Sequence, residues 1–123
     1  MAKVVAVIGA SNDKSKFGNR AVRAFQQQGY TVVPINPHEA EVEGLKAYAS
    51  VLDVPGTIDM ASIYLPPDVG EQIIGEIALK GIAEVWLNPG AESDELIARA
   101  RALDIRPIVA CSVIAIGENP YKL

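Results

Sequence analysis

The feature that most constrains this chain is Val4-Val5-Ala6-Val7-Ile8, five apolar residues without a polar interruption, followed at once by Gly9-Ala10-Ser11. An unbroken, β-branched run reads as a central strand buried on both faces. Burial on both faces requires a covering layer on each side, and the rest of the chain supplies the material. Short β-rich runs alternate with longer segments of helical period, the pattern of a parallel sheet with covering helices. After the polar turn Ser11 to Ser15, Ala21, Val22, Phe25 and Gln28 recur at helical spacing and predict a first helix over 18–28. Thr31 to Ile35 predicts the second strand, stopped by Asn36-Pro37, with Pro34 confined to a strand end or edge. From His38 to Thr57 the pattern is weak, and a loop with one turn of helix around Tyr48 to Leu52 is expected. Met60 to Leu65 predicts the third strand, after which Val69, Ile73, Ile74 and Ile77 form one helical face up to Lys80. Glu84 to Leu87 is the fourth strand, stopped by Asn88-Pro89-Gly90. Ser93 is placed to cap a third helix whose first turn carries Asp94 and Glu95, where the backbone dipole favours negative charge. Arg106 to Ala110 is the fifth strand and leads to Cys111-Ser112.

These elements predict a single α/β domain over 1–123, a Rossmann-like three-layer fold with a five-stranded parallel sheet. Right-handed crossovers with one change of winding direction give the expected order 3-2-1-4-5 and a switch point between the first and fourth strands. Ligands of such sheets bind beyond the carboxyl ends of the strands. Here those ends carry Gly9-Ala10-Ser11, Asn36-Pro37, Pro66-Pro67, Asn88-Pro89-Gly90 and Cys111-Ser112. The strongest local signal is Gly9-Ala10-Ser11 after a buried strand, with Gly18 at the start of the first helix. Glycine admits a phosphate close to backbone amides, a helix start stabilises the anion, and Ser11 adds a hydroxyl donor. Lys14, Lys16 and Arg20 put cations in the same stretch. Gly9 alone would equally suit a tight turn, and the lysines a solvated surface, so the combination carries the phosphate reading.

Fifteen acidic against eleven basic residues give a net charge of −4, which disfavours nucleic acid and anionic membrane as partners. The single cysteine cannot form an internal disulfide, and no metal-ligand spacing occurs, so no metal is expected. A reducing, cytoplasmic setting fits this usage. Val4 to Ala10 follows Lys3 as the apolar part of a secretory signal would, but it has only the minimum length and leads into a polar turn, so it reads as a strand. Ser11 and Lys14 stand where a dinucleotide fingerprint has its second and third glycines. The second strand ends in Asn36-Pro37 rather than in the acid that grips the ribose of NAD, and no arginine stands near Asn36 for NADP.

Gly9-Ala10-Ser11, the stretch Gly29-Tyr30-Thr31-Val32-Val33-Pro34-Ile35-Asn36-Pro37, Glu43-Gly44, Tyr48, Val85-Trp86-Leu87, Gly90 and Cys111 together resemble the small stand-alone CoA-binding domain proteins. More distantly they are similar to the nucleotide-binding domain of the succinyl-CoA synthetase alpha subunit and of ADP-forming acyl-CoA synthetases. The resemblance covers nearly the whole chain. It implies that Gly9, Ala10, Ser11 and the segment Lys16, Phe17, Gly18 and Asn19 lie at the CoA pyrophosphate. It sets Asn36 and Pro37 beside the adenosine, Leu65 and Pro66 on the adenine's other side, and Asn88, Pro89 and Gly90 along the pantetheine arm. His38 stands on the same rim, where the synthetases tend to carry a lysine; a ligand contact and a solvated loop residue are both open for it. Members of the small family often carry arginines after the third strand and just before the cysteine, where this chain has Pro66 and Ala110.

A Cys111–His38 dyad is rejected, because the expected order puts their strands three spacings apart, roughly 14 Å at about 4.8 Å each. Cys111 reads as a small, mostly buried apolar residue, and Trp86 and Tyr64 as core or rim packing. The reading is therefore a non-catalytic CoA or acyl-CoA binding protein acting as carrier, sensor or regulatory module. The alternatives are an NAD(P)-binding regulatory domain and a partner subunit that supplies the CoA site to a separate acyl-CoA ligase. Homo-oligomerisation is left open beside the ligase partner.

Overall fold

The computed structural model describes residues 2–123. The opening apolar run forms strand β1 (Val4–Ile8), in which Val5, Ala6 and Val7 are completely buried. It is parallel to β2 (Thr31–Ile35) on one side and β5 (Met60–Ile63) on the other. β6 (Glu84–Leu87) and β7 (Arg106–Val109) complete a parallel sheet of order β2-β1-β5-β6-β7. Helices α1 (Phe17–Gln27), α2 (Pro67–Lys80) and α3 (Asp94–Ala102) make the crossovers. The fold is α/β and Rossmann-like.

The strand order corrects the sequence-based expectation of 3-2-1-4-5. In sequence order the five main strands lie 2-1-3-4-5, so the third strand pairs with the first, and the switch point falls between β1 and β5. The physical reason lies at the far edge of β2. There Tyr48 donates to the carbonyl of Pro34 and accepts from the amide of Asn36, filling the edge the third strand would have used. The segment leading to Tyr48 is a small antiparallel hairpin, β3 (Glu41–Val42) and β4 (Leu45–Lys46), where the sequence predicted only loop. A single 3₁₀ turn follows at Val51–Asp53, three residues beyond the start of the predicted helical turn.

Two apolar layers flank the sheet. Ile8, Ile63, Ile74, Ile77, Leu87 and Leu96 fill the side under α2 and α3. Val5, Val7, Val22, Phe25, Met60 and Val113 fill the side under α1 and the short helix α4 (Ser112–Ala115). Each such side chain contributes about 1.5–3 kcal/mol by leaving water. α3 begins as its sequence indicates, with the Ser93 hydroxyl accepting from the amide of Leu96 at 3.0 Å. The chain end packs back on α1. Arg20 lies over the Phe17 ring and donates to the carbonyl of Pro120, and Tyr121 meets Phe17 edge-on.

β7 is an edge strand. Arg106 and Ala110 point their amides inward at Ala83 and Leu87, so Pro107 occupies an outward-facing position of that edge. Among the described residues no helix is long and apolar enough to cross a membrane.

Candidate functional site

Two cavities open at the carboxyl ends of the strands, and Leu65 lines both. The first, of about 340 Å³, lies beyond β1, β2 and β5. Its walls are mostly apolar: Ile8, Ile35, Val51, Leu65, Val69 and Ile73. Gly9, Asn36, Pro37 and His38 form its mouth, while Ser50 and Glu76 supply polar atoms among the apolar walls. The second, of about 400 Å³ and more open, runs between Lys16 and Phe17 of the α1 start, Tyr64 to Pro66, and Pro89 to Ala91.

What lets these cavities meet is the close approach of three backbones. Gly9 has φ +92°, and a Cβ there would stand 3.1 Å from the Tyr64 carbonyl and the Leu65 side chain. A Cβ on Gly18 would lie 2.1 Å from the Gly9 carbonyl oxygen, so only glycine lets α1 start directly against the end of β1. The amide of Gly9 itself is committed to the carbonyl of Ile35, so Gly9 contributes space rather than a donor. Ala10 and Gly18 are buried beneath the rim.

The turn that follows is held by its own side chains. The Ser11 hydroxyl accepts from the amide of Asp13, which leaves its proton free to donate. The Asp13 carboxylate accepts from the Ser15 hydroxyl and amide, and these bonds hold it below the usual carboxylate range. α1 follows Lys16 with no side-chain cap and no acid in its first turn, so the positive dipole end at its start is left without an anionic or side-chain partner. The three cations expected there separate. Lys14 lies 4.0 Å from Glu43, Arg20 turns to the chain end, and Lys16 lines the second cavity.

Three residues of the predicted site also act as braces. Asn36 donates to the carbonyl of Ala10 at 2.7 Å and accepts from the amide of His38, tying the end of β2 to the turn after β1. Asn19 is buried; it donates to the carbonyl of Ser11 and accepts from Arg23. Asn88 is buried as well. It donates to Ser62 and to the carbonyl of Ile63, and accepts from the amide and hydroxyl of Ser112. Since an amide oxygen can only accept, the Ser112 proton goes to Asn88. Ser62 and Tyr64 must then donate to Ser112, at 2.8 and 2.9 Å. Tyr64, which lines the second cavity, therefore turns its proton inward. Burial pushes its phenol above the usual 10.0.

Residues 3–117 match the profile of the CoA binding domain. The chain belongs to the CoA-binding domain family. This CoA-binding domain is 39% identical over 95 residues to the alpha subunit of ADP-forming acetate–CoA ligase II of Pyrococcus furiosus, aligning 74% of its own length with 21% of that subunit. It thus spans about a fifth of that relative. A conserved hypothetical protein of Pyrococcus furiosus has the same fold with a TM-score of 0.84 at 31% identity, covering 94% of this chain and 99% of that one. Acetyl-coenzyme A synthetase 1 of Korarchaeum cryptofilum, solved with phosphate and ADP, superposes with a TM-score of 0.78 at 33% identity, over 88% of this chain and 25% of its own.

The domain's rim thus combines an apolar slot, an uncapped helix start beside Lys16 and an open channel past Pro89 and Gly90. Sequence reasoning missed Ala49, Ser50, Val51 and Glu76. The first three lie in the stretch without periodicity, and Glu76 sits on a helix read only for its apolar face. Val69 and Ile73, read as part of one helical face, also line the cavity. The Cys111–His38 dyad is further excluded, because β2 and β7 are opposite edges of the sheet, four spacings or roughly 19 Å apart.

Proposed function

We propose that this chain is a CoA or acyl-CoA binding protein that performs no chemistry on its ligand and acts as carrier, sensor or regulatory module. The observation that carries the reading is that Leu65 lines both an apolar slot and a more open channel flanked by Lys16. In this reading the adenosine enters between Asn36, Pro37, His38 and Leu65. The pyrophosphate lies against Ser11, Lys16 and the uncapped start of α1 at Phe17 and Gly18, and the pantetheine follows Pro66, Pro89 and Gly90. Gly9, Ala10, Asn19 and Asn88 shape this surface from beneath.

Cys111 and His38 are separated by the width of the sheet, so they do not pair as nucleophile and base. A second reading is favoured by the likeness to ligase alpha subunits: a CoA site lent to a separately encoded ligase. In either case the protein works in the cytoplasm.

A ligand bound only by the folded state adds RT ln(1 + [L]/Kd), about 2.7 kcal/mol at a hundredfold excess, which raises the melting temperature by several degrees. CoA and acetyl-CoA should give the largest shifts, dephospho-CoA and ADP smaller ones, and NAD and FAD the smallest. A larger shift with NAD than with CoA would promote the NAD(P) reading. Turnover of acetyl-CoA or succinyl-CoA that disappears in Cys111→Ser would overturn the non-catalytic one.

A further inference from the structure

The apolar cavity contains one carboxylate, and its setting is specific. Glu76 lies on α2 nine residues beyond Pro67, about 13 Å along the helix axis from the rim at 1.5 Å per residue. One of its oxygens accepts from the Ser50 hydroxyl. Ser50 in turn accepts from the amide of Leu52, so its proton is committed to Glu76 and the carboxylate is held in place. Among the described residues no lysine or arginine pairs with Glu76 within 4.0 Å, and the nearby Lys80 donates to the carbonyl of Val54. The second oxygen of Glu76 accepts no hydrogen bond among the described residues, and a carboxylate oxygen among apolar walls calls for a donor.

We infer that Glu76, held by Ser50, reads the exocyclic amine of a 6-aminopurine seated between Ile35, Val51, Leu65 and Ile73. The inference rests on the CoA reading above and names its base-determining residue. Flat apolar walls accept any purine, so they cannot tell adenine from hypoxanthine. A carboxylate at the edge can. The 6-amino group donates to it, whereas a 6-oxo group turns an acceptor toward an acceptor and leaves both unpaired. The N1–H of hypoxanthine would reach the carboxylate only if the ring slid along the walls.

The test compares CoA with its 6-oxo analogue, in which hypoxanthine replaces adenine, by calorimetric titration of the native protein and of Glu76→Gln. The native protein should bind CoA roughly 10-fold or more tightly than the analogue. In Glu76→Gln, whose amide both donates and accepts, the preference should shrink to within about threefold, because the analogue gains what CoA loses. Equal binding of both ligands by the native protein would overturn the base-reading role while leaving CoA binding intact. A preference that persists unchanged in Glu76→Gln would remove Glu76 from that role. Failure of both ligands to bind would overturn the CoA reading together with this one.

Discussion

The carbonyl oxygen of Gly9 lies 2.1 Å from where a Cβ of Gly18 would stand, so the end of β1 and the first turn of α1 are in backbone contact. Gly18→Ala must push the two apart. An overpacked core position typically costs about 1–3 kcal/mol, and the displaced element here carries the uncapped helix start of the site. Denaturant unfolding should show this loss, and CoA affinity should fall with it.

Gly75 offers the opposite case within α2, since a Cβ there meets nothing within 4 Å and the backbone is helical. Gly75→Ala should stabilise the protein by about 0.5–1 kcal/mol, read as a higher melting temperature.

The Ser11 proton is free and Lys16 is the cation left facing the channel. Ser11→Ala should weaken CoA binding by about 0.5–1.5 kcal/mol, or up to about 3 if the bond is to a charged oxygen. Lys16→Gln should weaken it too, and the loss should shrink as salt rises, because an exposed charge is screened. Titration at low and high ionic strength checks both.

Ser112→Ala should be more damaging than its size suggests. It leaves Ser62 and Tyr64 without their shared acceptor, and an unsatisfied buried group costs about 1–3 kcal/mol. Denaturant unfolding with an unchanged slope would register that cost as pure loss of stability.

The raised pKa of Tyr64 fixes the sign of an alkaline effect. The unfolded chain gives up this proton near 10.0 while the folded protein still holds it, so stability present below 10.0 is lost as pH rises toward the folded value. Stability curves from about pH 9 to about pH 11 should therefore fall less steeply in Tyr64→Phe than in the native protein.

How much of this could be read beforehand differs by element. The fourth strand, the Ser93 cap and the end of α2 at Lys80 coincide with their sequence signals, because apolar period, capping hydroxyl and glycine stop are local properties. The strand order was not legible. Whether the third strand joins β2 or β1 is decided by Tyr48 taking the β2 edge, a pairing made by a segment whose own sequence shows no period. The bracing roles of Asn36 and Asn88 were not legible for a related reason. Their place at strand ends is visible in the sequence, but an amide that faces inward to brace two chain segments looks the same there as one that faces a ligand. Glu76 was hidden because one polar residue between Ile74 and Ile77 reads as a helix's solvent side.

Pro107 has a bearing on how such a domain is used. An outer strand normally invites another chain to extend the sheet, yet here a ring without a donor sits at one of its outward positions. The sheet cannot readily grow past β7. A unit with a blunted margin can circulate by itself at high concentration, or be joined end to end with other domains, without its neighbours' strands stitching onto it. The same architecture would then serve both as an independent small protein and as a segment of the much longer ligase chains it resembles.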